Sequence, residues 1–225
     1  MSGTPQPFTR AQLSTAPREL LREGRWANAR VSRVTLGGVD WVVKDFAPRT
    51  WWVRQLVGRF LLRRELRALE RLQGLAGVPA QAFRVDAFAL AARFTPGVTL
   101  NHAPPQALNA AFFVALEALF DAVHARGLVH LDSRGARNLL LTPQGTPAVI
   151  DFQAALATGW MPAPLRRRLE AIDTSGVYKN WLRLAPQSLD ADRRARLEQA
   201  TRWRRLWIGR GYFGVPKHRP PETDR

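Results

Sequence analysis

The sequence predicts an α+β fold in which a small antiparallel sheet is followed by a mainly helical second part. Three observations lead to this fold class. Alternating or β-rich segments concentrate in residues 29–46 and 83–94. Long segments with apolar side chains at helical spacing cover residues 50–73 and 108–126. From about Pro162 the chain is again helical in character, and this order favours segregated sheet and helix layers.

Two hairpins are predicted. Residues 29–36 alternate polar and apolar side chains, residues 39–46 are rich in β-formers, and Gly37-Gly38 between them is a two-residue hairpin signal. A second, smaller hairpin is predicted for residues 139–141 and 148–150, which flank a turn with Pro and Gly.

The chain is divided by these signals into three parts. Residues 1–21 are polar and proline-containing at their start, and they are interpreted as an N-terminal tail. Residues 22–95 form the predicted sheet-rich lobe with its helix. Residues 96–225 form the predicted helical lobe, which ends in a basic stretch rich in Trp and Arg.

Composition restricts the class of function. Lys and Arg total 34 against 18 Asp and Glu, so the net charge is +16 and the protein is expected to attract polyanions. The excess of arginine could also reflect a GC-rich genome. There is no cysteine, which excludes disulfides, thiolate metal sites and cysteine nucleophiles.

Localisation is predicted from what the sequence lacks. No apolar run reaches the ~18 residues that a membrane-spanning helix needs, and the first residues contain no apolar signal region. We therefore expect a cytoplasmic protein, either soluble or peripheral at the inner face of the cytoplasmic membrane.

A lysine and a glutamate are predicted to pair inside the first lobe. Lys44 ends the apolar run of the second strand, where an ammonium is awkward as core and is suited to a cleft. On the following helix, Glu65 falls within the stripe formed by the leucines, whereas Glu70 falls at its edge. A buried carboxylate needs a partner, and Lys44 is the natural one. The alternatives are an exposed lysine and a surface salt bridge with a neighbouring arginine.

Polar side chains also follow short apolar segments in the second part of the chain. Asp132 and Asn138 belong to the segment 130–138, and Asp151 follows the apolar residues 148–150. Carboxylate and amide oxygens at such positions suit Mg²⁺, which prefers hard oxygen ligands.

Together these segments resemble the protein-kinase-like superfamily, whose signatures are a strand lysine, a helix glutamate, an H-R-D-type catalytic loop and a D-F-G metal loop. The corresponding residues here are Val42-Val43-Lys44, Arg64-Glu65-Leu66, His130-Leu131-Asp132 with Asn138, and Asp151-Phe152-Gln153. The resemblance covers about residues 22–156. It implies a bilobal fold with a small antiparallel-sheet N-lobe and a reduced helical C-lobe.

The resemblance also implies an ATP-dependent phosphotransferase whose catalysis rests on positioning and charge neutralisation. Lys44 would hold the α- and β-phosphates of ATP and pair with Glu65. Asp132 would orient the acceptor hydroxyl and take its proton. Arg134 would neutralise the phosphoryl group during transfer.

The resemblance further assigns a metal site and a phosphate loop. Asn138 and Asp151 would bind Mg²⁺, while Gly24 and Val31 lie where a glycine-rich loop should cover the phosphates. The sequence departs from the family pattern in both places. The loop after Gly24 keeps only that glycine, and Asn138 follows Asp132 by six residues instead of five.

Within the superfamily, the chain looks most similar to RIO-type kinases and to short bacterial kinases that phosphorylate sugars of the lipopolysaccharide core. No A-P-E motif follows Asp151. The leading expectation is therefore transfer to a hydroxyl of an anionic glycolipid such as a lipopolysaccharide core sugar. The alternatives are a RIO-like serine/threonine protein kinase with a protein hydroxyl acceptor, and a catalytically inactive binding module.

Two segments bear on the partner. Residues 50–64 and 202–213 mix aromatic side chains with arginines, which is typical of contact with an anionic membrane or a phosphorylated glycolipid. The second segment also suits single-stranded nucleic acid, which is the less favoured partner. In the alternative interpretation, the first segment is the leading part of the glutamate-bearing helix and packs on the lobe, and the second is an amphipathic final helix with a solvated basic face.

Overall fold

The computed structural model describes residues 6–206, and side chains up to Arg202. The fold is α+β. Its helices are α1 (Arg10–Thr15), α2 (Arg59–Arg71), α3 (Ala110–Ala125), α4 (Ala163–Leu184) and α5 (Ala191–Leu206). Its strands are β1 (Arg18–Arg22), β2 (Arg30–Leu36), β3 (Val39–Asp45), β4 (Ala82–Arg84), β5 (Ala89–Arg93), β6 (Val98–Thr99), β7 (Leu128–Val129), β8 (Leu139–Leu141), β9 (Pro147–Val149) and β10 (Leu156–Ala157).

The main sheet is antiparallel and has the strand order β1-β2-β3-β5-β4. The predicted hairpin is β2–β3, and its turn residues Gly37 and Gly38 have φ values of 62° and 72°. Positive φ at both turn residues matches the right-handed twist of the strands, and glycine adopts it without strain. The register places Val31 opposite Lys44, so the lysine lies on a defined face of the sheet.

The described part of residues 1–21 differs from the predicted tail. From Gln6 onward it contributes α1 and most of β1 to the sheet layer. Phe8 and Leu13 are buried in a small core with Trp41, and the Phe8 and Trp41 rings meet edge to face at 5.7 Å. Arg10 binds Asp45 and Asp86, each at 2.6 Å. These contacts anchor a polar segment whose prolines had favoured a loose chain.

The predicted helix of residues 50–73 is present and begins with an unusual turn. Val53–Gly58 winds as a π-helical turn, which runs without a break into α2. Gly58 is buried there, and a Cβ at this position would lie 2.7 Å from the Phe46 ring. The opposite end of α2, with Leu69 and Leu72, packs into the core of the helical part. The helix therefore belongs to both layers.

The helical part is built around α3 and α4. The predicted helix of residues 108–126 is α3, and the Asn109 side chain caps it by accepting a hydrogen bond from the Phe112 backbone N–H. The rings of Phe113 on α3 and Trp181 on α4 stack at 5.3 Å in the core. The second predicted hairpin is β8–β9, and β6 pairs with β8 on its other side.

Residues after Pro162 form α4 and α5, as predicted from their helical character. Most of the basic aromatic stretch 202–213 lies outside the described residues. Between residues 6 and 206, no helix is long and apolar enough to cross a membrane.

Gly58→Ala tests the close contact between the π turn and Phe46. Because a methyl group would meet a ring that is fully buried, we expect unfolding free energy to fall by about 1–3 kcal/mol. Urea denaturation measures this change. Gly159→Ala is the matched control, since no atom lies within 4 Å of a Cβ at that position. Equal stability of the two variants would contradict the packing described here.

Candidate active site

A buried lysine joins two carboxylates at the boundary between the sheet and the helical part. Lys44 Nζ, on β3, lies 2.6 Å from Glu65 Oε1 on α2 and 2.6 Å from Asp151 Oδ1 in the loop after β9. Lys44 and Glu65 are almost fully buried, whereas about a fifth of the Asp151 side chain is exposed, at 22%. The pairing predicted from helical spacing is therefore present. Asp151 is the third member.

The charges of this cluster shift one another. Burial would lower the pKa of Lys44, but the two carboxylates outweigh burial and raise it. Burial raises the pKa of Glu65, and the nearby Asp151 charge adds to that effect. Burial also opposes ionisation of Asp151, but Lys44 holds the pKa of Asp151 below its ordinary value. The cluster therefore favours an ammonium with an ionised Asp151 beside it.

Backbone conformation turns Asp151 toward the lysine. Asp151 has φ 68° and ψ 66°, which is the left-handed region that few non-glycine residues adopt. The next residue, Phe152, is fully buried, and its ring lies 4.8 Å from the ring of His130. The reversal at Asp151 therefore places the acidic side chain at the boundary while Phe152 fills the core.

Asp132 and Asn138 lie side by side in the loop that follows β7. Asn138 Nδ2 donates to Asp132 Oδ2 at 2.7 Å and to the Asp132 backbone carbonyl at 3.2 Å. Gly135 lies against this pair, because a Cβ on it would be 3.5 Å from Asp132 Oδ1. The extra residue between Asp132 and Asn138 does not separate their side chains.

His130 connects this loop to the loop of Asp151. The Asp132 backbone N–H donates to His130 Nδ1 at 3.2 Å, so Nδ1 is an acceptor. His130 Nε2 lies 3.1 Å from the Ile150 carbonyl, to which it donates as the protonated nitrogen. The Ile150 backbone N–H donates to the Asn138 carbonyl at 2.9 Å. Asp132, Asn138 and Asp151 are thus held by one network.

Asp173 on α4 anchors the same loop, and no sequence pattern indicated this role. Its side chain is fully buried and accepts the backbone N–H groups of His130 at 2.6 Å and Leu131 at 3.0 Å. Leu131 has φ 61°, so the loop is held in a rarely populated conformation. A carboxylate that receives two backbone N–H groups is a strong, directional anchor.

Close packing on α4 fixes the residues after Asp132. Gly176 lies so near the loop that a Cβ would be 2.1 Å from Ser133 Oγ. Arg134 Nη1 donates to Ser175 Oγ on α4 at 3.0 Å. The residue assigned to the transferring phosphoryl group is therefore partly engaged by the helix.

The segment between β1 and β2 contains Gly24, where the sequence resemblance predicted a phosphate loop. Gly24 has φ 73°, and a Cβ on it would lie 2.3 Å from the Ala29 carbonyl oxygen, so only glycine fits. Arg49 donates to the backbone carbonyls of Glu23, Gly24 and Asn28. Val31 is buried in β2, opposite Lys44.

Two arginines near the site were not predicted. The charge of Arg22, at the end of β1, contributes to the lowered pKa of Asp151. Arg64 on α2 donates to the backbone carbonyls of Ala154 and Ala155, just beyond Asp151. Arg64 therefore ties the helix that carries Glu65 to the loop that carries Asp151.

No protein-family model matches the sequence, and no curated protein matches it either.

Lys44→Met tests the charge cluster. Because the buried Glu65 and the partly buried Asp151 would lose their shared counter-ion, we expect about 3 kcal/mol less unfolding free energy near neutral pH. The pKa values of both carboxylates in the folded variant would rise, so the destabilisation should shrink as pH falls toward about 5. Chemical denaturation at both pH values measures it. Lys179→Met, an exposed lysine on α4, is the control, and a pH-independent loss would contradict the account.

Asp173→Ala tests the anchor of the loop. The buried N–H groups of His130 and Leu131 would lose their acceptor, so we expect a loss of about 2–4 kcal/mol in unfolding free energy. Amide hydrogen exchange of residues 130–133 should accelerate more than exchange in β2–β3. Uniform acceleration throughout the protein would show that Asp173 contributes to global stability and does not anchor residues 130–133 in particular.

Proposed function

We propose that the protein is an ATP-dependent phosphotransferase on a protein-kinase-like bilobal fold. The observation that carries this proposal is the Lys44 ammonium within 2.6 Å of both Glu65 and Asp151. A strand, a helix and a loop each supply one member. Burying charged groups is costly, and replacement by apolar side chains is often neutral or stabilising. Stability alone therefore gives little reason to retain the cluster, whereas binding of a nucleotide phosphate does.

Lys44 would bind the α- and β-phosphates of ATP, and Glu65 would hold its ammonium in place. The raised pKa of Lys44 keeps the ammonium charged at neutral pH, as phosphate binding requires. The loop that contains Gly24 would cover the phosphates, and Val31 would contact the nucleotide beneath it. Arg49 already binds the carbonyls of Glu23, Gly24 and Asn28, so the loop would contact phosphate through backbone N–H groups.

The residues proposed for Mg²⁺ fit a hard cation. Asn138 uses its amide N–H on Asp132, which leaves its amide oxygen as a donor to a cation. Asp151 keeps part of its carboxylate open to solvent. The described residues contain no group of three or more acidic or imidazole side chains that could hold a metal ion alone, so phosphate and water oxygens would complete the shell. When bound, Mg²⁺ would neutralise charge on the phosphates.

Asp132 is proposed to orient the acceptor hydroxyl and accept its proton. It is half-buried, and Asn138 fixes one of its carboxylate oxygens by hydrogen bonding. The His130 network and Asp173 hold its backbone. Arg134, two residues on, would place positive charge near the transferring phosphoryl group.

The acceptor that we propose is a hydroxyl of a lipopolysaccharide core sugar or a related anionic glycolipid. The net charge of +16 favours an anionic substrate, and the structure adds an exposed aromatic and basic surface on the α2 side. A protein hydroxyl, as in RIO-like kinases, is the alternative acceptor. The third possibility is a catalytically inactive binding module, which would transfer no phosphoryl group whether or not it binds ATP.

ATP binding is the first test. ATP with Mg²⁺ should raise the melting temperature, because a ligand at a hundredfold excess over Kd adds about 2.7 kcal/mol to folding free energy. Lys44→Met should abolish the increase, whereas Lys179→Met should retain it. Absence of any increase in the wild-type protein at millimolar ATP would reject the proposed nucleotide site.

Phosphoryl transfer is the second test. Radiolabel from γ-labelled ATP should pass to purified lipopolysaccharide more than to a generic protein substrate. Asp132→Ala should reduce transfer by about 100-fold or more while the thermal increase with ATP remains. Asp121→Ala, an exposed acid on α3, should leave transfer unchanged. ATP binding without transfer to either acceptor would favour the inactive module.

A further inference from the structure

The helix formed by the π turn and α2 exposes a row of large apolar side chains. Trp52, Leu56 and Phe60 follow one another at four-residue spacing and are 68%, 64% and 61% exposed. Trp51 is also exposed and meets the Trp52 ring edge-on at 4.4 Å. We call these four residues the Trp52 strip. Contiguous exposed apolar patches of this kind mark interaction sites.

The Trp52 strip is not part of the hydrophobic core. The opposite face of the same helix already buries Leu62, Ala68 and Leu69 against the sheet and the helical part. Glu65 lies on that buried face as well. The strip is therefore available for an external partner, and contact with it leaves the lysine cluster undisturbed.

The charge around the Trp52 strip selects the kind of partner. Between residues 47 and 69 the only acidic residue is Glu65, which is buried and bound to Lys44. Arginines occupy this stretch at Arg49, Arg54, Arg59, Arg63, Arg64 and Arg67. Arg63 and Arg67 are exposed and continue the strip along the helix at spacings of three and four residues.

An exposed helix face with aromatic side chains at one end and arginines at the other matches an anionic lipid surface. Aromatic rings insert at the level of the headgroups, and arginines bind lipid phosphates. An exposed acidic side chain would oppose such contact, and the described helix has none before Glu70.

The chain just before the strip contacts the loop proposed to cover the phosphates. Arg49, two residues before Trp51, donates to the carbonyls of Glu23 and Asn28 in that loop. Trp26 in the same loop is 88% exposed and has φ 45°. A surface that contacts the strip would thus lie beside the loop and the mouth of the proposed site.

We propose that the Trp52 strip, with Arg63 and Arg67, docks the protein on an anionic lipid bilayer. The inference deepens the proposed function and rests on it for one point, that the acceptor is carried by a lipid. Docking would concentrate the protein at the surface where such an acceptor resides, and would turn the Trp26 loop toward it.

Co-sedimentation with vesicles tests the docking surface in the absence of ATP. The wild-type protein should bind vesicles of phosphatidylcholine with phosphatidylglycerol and bind phosphatidylcholine alone much less. The triple variant Trp52→Ser/Leu56→Ser/Phe60→Ser should lose at least about ten-fold in affinity for the anionic vesicles. Arg63→Gln/Arg67→Gln should weaken binding and reduce its salt dependence.

The matched control changes three apolar side chains that are exposed elsewhere, Val114→Ser/Trp160→Ser/Leu182→Ser, and should bind as the wild type does. Equal vesicle binding by the strip variant and the wild type overturns the proposal. So does self-association of the wild type that the strip variant abolishes without vesicle binding, since the strip would then cover a second copy. Thermal unfolding should be unchanged in the strip variant, because it removes no buried side chain.

Failure of docking and failure of the proposed function give different results. The strip variant should keep its increase in melting temperature with ATP and Mg²⁺, because its changes lie on the face opposite Glu65. Vesicle binding without any thermal response to ATP would leave the docking surface valid and reject the nucleotide site. The reverse pattern would reject the docking surface alone.

Discussion

One ammonium shared by two carboxylates organises the boundary between the sheet and the helices. Lys44, Glu65 and Asp151 come from elements far apart in the chain, and their 2.6 Å contacts exist only if β3, α2 and the loop after β9 keep fixed positions. Buried charges are costly unless they are paired. Contacts around the cluster hold these three elements in position. The most direct one is made by Arg64, which binds the carbonyls of Ala154 and Ala155 beyond Asp151.

The second loop of the site depends on a different kind of anchor. Its charged and polar side chains are arranged by main-chain hydrogen bonds, with Asp173 as acceptor on one side and His130 as a bridge on the other. Gly176 lets α4 approach this loop closely enough for these bonds to form. The helical part thus acts as a rigid support for Asp132 and Asn138.

Sequence patterns predicted the parts of the fold that are governed by local rules. The β2–β3 hairpin follows from its alternation and its two glycines, and the burial of Glu65 follows from its phase relative to the leucines of α2. The packing of residues 6–22 was missed because it depends on a few long-range contacts, such as Arg10 with Asp86. Asp173 was missed because its partners lie 42 and 43 residues away in the sequence. No local pattern distinguishes it from an acid on a surface helix.

The π turn at Val53–Gly58 determines how the exposed tryptophans before it are oriented relative to the rest of α2. A residue gained or lost within a helix rotates everything before it by ~100° relative to everything after it. Shortening the turn by one residue would rotate Trp51 and Trp52, which precede it, while Phe60 and Glu65, which follow it, stayed in place. The length of the turn therefore sets the orientation of the two tryptophans relative to Glu65.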